Sequence, residues 1–160
     1  MPNFWLTLAA VAHADGNVNE ERQAYAEVKR LTLRALVPRP ENPRLLGELV
    51  IAEAGLGENE EALRHARRAT EVPPTSADAV EGAMCEMYLA AVLVMTGDRD
   101  ATFDKLSELV KLPFGVINYG DLKLDPVWDD LRSDPRFDRI LGESALPLPV
   151  NGYNIGSTHH

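Results

Sequence analysis

Apolar residues recur along this chain at three- and four-residue steps, the spacing that places side chains on one face of an α-helix. The central stretch shows it best. Asn42-Pro43 opens a helix, with Asn as the cap and Pro in the first turn, where a missing N–H costs nothing. Leu45, Leu46, Leu49, Val50 and Ala54 then form one apolar face, and Leu56-Gly57-Glu58-Asn59 ends the helix through a glycine suited to a left-handed C-terminal turn. Glu60 and Glu61 favour the start of a partner helix. Its inner stripe is Ala62, Leu63, Ala66 and Ala69, and Pro73-Pro74 stop it. The small alanines allow close helix approach.

The same plan occurs three times. Gly16, Gly57 and Gly97 stand 41 and then 40 residues apart, each preceded and followed by an amphipathic run. A fixed period of about 20–50 residues marks a stacked repeat, an architecture used more for binding than for reaction. In the first unit Trp5, Leu8, Ala9 and Ala12 precede Gly16-Asn17, and Ala24, Val28, Leu31 and Leu36 follow before Pro38. In the third, a long apolar helix over about 76–96 reaches Gly97-Asp98, and Phe103, Leu106, Leu109 and Val110 follow before Pro113. The final block differs. Asp125-Pro126 and Asp134-Pro135 each pair a capping carboxylate with a first-turn proline, predicting two short helices that carry Trp128 and Leu131, then Phe137, Ile140 and Leu141. A stack of repeats needs such a piece to close its open apolar end.

The string Leu-Gly-Glu-Asn-Glu-Glu-Ala-Leu, followed by Ala66, Ala69 and Pro74, resembles the tetratricopeptide-repeat family, although the large aromatic of that family's first helix is missing. Leu-Asp-Pro-Val-Trp-Asp-Asp-Leu-Arg-Ser-Asp-Pro-Arg-Phe is similar to a closing segment found after such repeats in large bacterial serine/threonine kinases, adenylate cyclases and transcriptional regulators. The resemblance covers roughly 41–141. It implies an all-α, right-handed superhelix of about three helical hairpins (about 3–37, 41–73 and 76–112) with a cap over 121–141 and a flexible tail over 142–160. It also implies a bacterial, cytoplasmic protein–protein interaction module, the regulatory or scaffold end of a larger signalling protein whose preceding region would hold any catalysis.

In that family the first helix of each pair lines a groove that takes a peptide or partner helix. The matching positions are Leu6 and His13, then Arg44, Glu48 and Ile51, then Met87, Tyr88 and Met95, with Met84 and Cys85 nearby. The alternative is that Met87 and Met95 pack against a neighbouring repeat or the terminal block. Members that clamp carboxylate tails use several basic groove residues, and Arg44 alone fits that role here.

Charge and composition narrow the partner. The chain has 160 residues, 45% of them hydrophobic and 26% charged, which suits one globular domain. A net charge of -9 disfavours nucleic acid and anionic membranes. No apolar run is long enough to span a bilayer, and Met-Pro-Asn-Phe-Trp lacks the basic region of a signal peptide. The single Cys85 allows no internal disulfide and fits a reducing compartment.

Little in the sequence points to chemistry. Asp125, Asp129, Asp130, Asp134 and Asp138 suggest a metal site, but two are caps, Arg132, Arg136 and Arg139 lie beside them, and the glycine-centred calcium loop is missing. His13 and His65 fall in different units without zinc spacing, while His159 and His160 read as a tag remnant. Cys85 has no adjacent base. No phosphate-cradling or nucleophile motif occurs. The sequence therefore assigns no catalytic residue, metal or cofactor. The competing readings are an oligomerisation or docking element using an exposed Phe4 and Trp5, including a homodimer through that end, and, less favoured, a small metal-dependent enzyme.

Overall fold

A computed structural model describes residues 2–71, 79–112 and 116–146. Among these, every regular element is helical: α1 (Pro2–Ala14), α2 (Val18–Leu36), α3 (Pro43–Gly55), α4 (Asn59–Glu71), α5 (Ala79–Met95), α6 (Arg99–Leu109), α7 (Tyr119–Leu124), a 3-10 helix (Pro126–Leu131) and α8 (Pro135–Ser144). Consecutive helices from α1 to α6 pack on one another, and α3 also packs on α5. The stops expected at Pro73-Pro74 and Pro113 lie outside the described residues, as does the expected tail from 147 onward; the start of that expected tail is instead helical, because α8 runs on through Ser144.

Three turns of one design join α1 to α2, α3 to α4 and α5 to α6. Gly16, Gly57 and Gly97 have φ of 67°, 81° and 87°, a left-handed conformation that strains any residue with a Cβ. Each glycine N–H donates three residues back, to His13, Ala54 or Val94. The next N–H donates five residues back, to Ala12, Glu53 or Leu93. This doubly bonded C-terminal cap satisfies carbonyls that the helix itself leaves open. The residue making the longer bond also starts the next helix. Asn17 and Asp98 accept from the N–H groups of Glu20 and Ala101, and the Glu58 carbonyl accepts from Ala62. Asn42 likewise caps α3, accepting from Leu45 N–H at 3.0 Å.

Two apolar clusters share α5. One joins Val50 and Ala54 of α3, Ala62 and Ala66 of α4, and Leu89, Val92 and Leu93. The other joins Ala90, Ala91 and Val94 to α6 through Phe103, Leu106 and Leu109, and to the C-terminal block through Trp128, Leu131, Phe137 and Ile140. The block begins each of its last two elements as its Asp-Pro pairs predict. Asp125 accepts from Val127 N–H and Asp134 from Arg136 N–H, both at 3.0 Å. The first of these elements is 3-10 rather than α.

α3 departs from the single apolar face its sequence suggests. It contacts α2, α4 and α5, and α1 more lightly, so Glu48 and Glu53 are buried together with Leu49, Val50, Ala52 and Ala54. Burying a carboxylate is costly unless it is paired. Glu53 meets His65 Nδ1 at 2.8 Å and Lys29 Nζ at 3.8 Å, tying α2 and α4 to α3, while Lys29 also pairs with Glu58. His65 is therefore a partner in this buried network. Two glycines let bulky rings reach the α3 backbone: Gly47 lies under the ring of Tyr88 and Gly55 under that of Tyr25.

Arg136 fastens α8 to α6. Its guanidinium grips Asp134 through two nitrogens, donates to Asp100 at 2.7 Å and lies 4.1 Å from the centre of the Phe103 ring. The side-chain hydrogen bonds from Arg136 favour the ionised carboxylate and hold the Asp134 pKa down at about 2, against an ordinary 3.8. A pKa lowered by folding contributes stability that is complete above about 3.8 and disappears as pH falls through about 2. Arg136→Ala is expected to raise the Asp134 pKa toward the ordinary carboxylate range in an NMR titration, though not fully to it, because the residue-136 N–H still donates to the carboxylate and Arg99 stays near it. A midpoint that stays near 2 would exclude this pairing as the cause.

Candidate functional site

The turn glycines fix the phase of the helices before them, and that phase builds a shared surface. Six residues ahead of Gly16, Gly57 and Gly97 stand Ala10, Ile51 and Ala91; three ahead stand His13, Ala54 and Val94. All six line one solvent-open cavity of about 610 Å³. Leu6 and Met87, each ten residues before its glycine, line it as well. Steps of four and three residues keep these positions on one face of each helix. The equivalent position in the middle unit is Gly47, over which Tyr88 lies, and Tyr88 itself lines the cavity.

The structure thus brings together Leu6, His13, Ile51, Met87, Tyr88 and Met95. It does not bring Arg44 and Glu48 to this surface: Arg44 is exposed and pairs with the buried Glu48 at 3.3 Å on α3. Neither Met84 nor Cys85 is a lining residue. Met87 and Met95 pack in part against the cluster containing Trp128, so they serve both the joint with the terminal block and the cavity wall. Phe4 and Trp5 lie on α1 outside the cavity, edge to face with centroids 5.4 Å apart, and Phe4 is 62% exposed.

One wall has no counterpart in the sequence-based expectation. Val116 and Ile117, then Val127 and Trp128, bring the C-terminal block to the cavity, and Tyr25 enters from α2. With them come Asp121, Asp125, Asp129 and Asp130, the carboxylate side of the site; no Lys or Arg is among the lining residues. The Asp-Pro string could have signalled this wall only if the position of the 3-10 helix against α5 were known.

Electrostatics inside the site follow from this placement. Burial pushes the Tyr25 hydroxyl pKa up, with Glu21 and Asp125 adding to the shift. Burial also raises that of Tyr88, and Glu48 reinforces it. Both phenols are therefore neutral donors at physiological pH. His13 Nδ1 lies 3.0 Å from Glu21 Oε1 at the rim. Cys85 is buried and its thiol pKa is raised, chiefly by desolvation and then by Glu86 and Glu81, which disfavours the nucleophilic thiolate. Among the described residues no three His, Cys, Asp or Glu side chains converge as a metal-holding group, and no helix is long and apolar enough to cross a membrane. The chemistry on display is an apolar floor with aromatic and thioether groups beside a carboxylate edge.

Comparison with known proteins adds no relative: no protein-family model, curated protein or solved structure matches the chain.

Proposed function

We propose that this chain is a non-catalytic protein-interaction module of tetratricopeptide-like build, its helical pairs wound as a right-handed superhelix, and that it serves as the regulatory or scaffold end of a larger bacterial signalling protein. The observation that carries the binding reading is the convergence of equivalent positions from α1, α3 and α5 on one open apolar cavity. Reaction sites concentrate polar groups with shifted pKa values in a cleft. Here the shifted groups are phenols made less acidic, while the surface is suited to an adaptable apolar contact.

Ala10 is exposed and lines the cavity, so Ala10→Trp fills the groove without entering the core. Peptides selected from a displayed random library on the wild-type protein are expected to lose at least about tenfold in affinity, about 1.4 kcal/mol, on Ala10→Trp. If no peptide is enriched, or if the enriched ones bind Ala10→Trp equally well, the groove reading fails.

A second reading rests on the outer face of α1, where Phe4 is 62% and Val11 52% exposed. Contiguous exposed apolar surface marks contact sites, and this face supports docking or self-association through the first helix. A concentration-dependent dimer that Trp5→Glu disperses would favour it, whereas light scattering that finds a monomer in both proteins removes it.

A further inference from the structure

We infer that the groove takes a basic amphipathic helix from a partner protein: an apolar stripe seated on the α1–α3–α5 face, with Lys or Arg directed at the carboxylate edge. This rests on the interaction reading above and specifies the chemistry of the occupant. The charge of the occupant follows from the lining. Asp121, Asp125, Asp129 and Asp130 border the cavity, and no Lys or Arg lines it. Asp129 pairs with Arg132, which lies outside the lining. An acidic occupant would place like charges together as water is displaced, which is unfavourable. A basic occupant gains both attraction and faster encounter with a chain of net charge -9.

The backbone form of the occupant follows from what the walls cannot supply. An extended peptide must find partners for its own N–H and C=O groups when it is buried. Among the described lining residues the polar side chains are His13, Tyr25, Tyr88 and the aspartates of the carboxylate edge, while the floor from α1, α3 and α5 is Leu, Ala, Ile, Val and Met on helices whose backbone groups are bonded internally, so it offers no row of partners to an extended chain. No strand edge is present among the described residues to accept another strand. A helix arrives with its backbone already satisfied and offers only side chains, the mode in which an apolar face lies in a groove. Met87 and Met95 adapt to the shape of those side chains.

The test uses two labelled helical peptides of about 18 residues, roughly 27 Å long, with an identical leucine face and either lysine or glutamate elsewhere. Fluorescence anisotropy with the full chain at about 0.15 M salt, where distant charges are screened, is expected to give at least about tenfold tighter binding for the lysine peptide. Ala10→Trp should weaken that binding at least about tenfold, and Asp129→Asn with Asp130→Asn about three- to tenfold; circular dichroism confirms that each variant is folded. Equal binding of both peptides, each lost in Ala10→Trp, overturns the charge inference and leaves the groove reading standing. Lysine-peptide binding that survives Ala10→Trp is adhesion to an acidic surface and overturns the inference. So does binding of neither peptide, and the library selection then judges the groove reading on its own. A dimer in sedimentation that Ala10→Trp disperses would mean that a second copy occupies the groove, which also overturns it.

Discussion

Trp128→Ala is expected to lower the unfolding free energy by about 3–5 kcal/mol, the cost typical of deleting a large buried aromatic. Trp128 is buried in the cluster that joins α5 and α6 to the C-terminal block, and it also forms part of the cavity wall. Its removal takes away packing area and leaves a void between elements distant in sequence. The 3-10 helix that carries it is short, with little stability of its own, so the block is held by what its side chains bury. Urea unfolding of the variant, followed by far-ultraviolet circular dichroism, measures the loss. A change under about 1 kcal/mol would mean that the block is not docked through this residue.

Gly47→Ala runs against the ordinary rule for helices. At an exposed interior position the exchange stabilises a helix by about 1 kcal/mol. At Gly47 the added methyl would sit well inside contact distance of the Tyr88 ring. The ring cannot withdraw cheaply, because it is half-buried between α3 and the cavity. Overpacking of this kind costs about 1–3 kcal/mol, and Gly47→Val should cost more. The control is the double variant with Tyr88→Ala. If the clash is the cause, Gly47→Ala becomes neutral or stabilising in that background, with a coupling of about 1–3 kcal/mol. Additive costs in the two variants would exclude the ring contact as the source. A loss on Gly47→Ala should also weaken groove binding, because Tyr88 belongs to the wall it would displace.

What could be read directly from the chain was local chemistry. Gly16, Gly57 and Gly97 marked turns because only glycine accepts their positive φ without strain, and Asn42, Asp125 and Asp134 marked helix starts because a short polar side chain reaches back to an amide two or three residues on. Leu6, His13, Ile51, Met87, Tyr88 and Met95 could be named together because the resemblance to tetratricopeptide repeats implies that the first helix of each pair lines a groove; four of them, Leu6, His13, Ile51 and Met87, also share the phase of the turn glycines. The remaining features depended on packing between distant segments. Nothing near Glu53 in sequence announces that Lys29 and His65 will surround it, so the buried charge network was invisible. Glu48 reads as an exposed groove residue if α3 has one apolar stripe, but α1, α2, α4 and α5 all contact that helix. Of the aspartate edge, the sequence accounts for Asp125 as a cap and sets Asp129 and Asp130 near arginines, but Asp121, and the place of all four beside the cavity, follow only once the block folds onto α5.

The shared turn residues have a consequence for how this chain can vary in length. Asn17, Glu58 and Asp98 each finish one helix and begin the next, leaving no slack residue at these joints. Inserting one residue between a lining position and its glycine would rotate that position by about 100° around the helix axis. Ala10, Ile51 or Ala91 would then face away from the cavity together with every lining residue before it. Insertions and deletions are therefore incompatible with the binding surface between Leu6 and Asn17, Gly47 and Glu58, or Met87 and Asp98. The same change placed before Leu6, or in the segment that joins α2 to α3, leaves the phase intact.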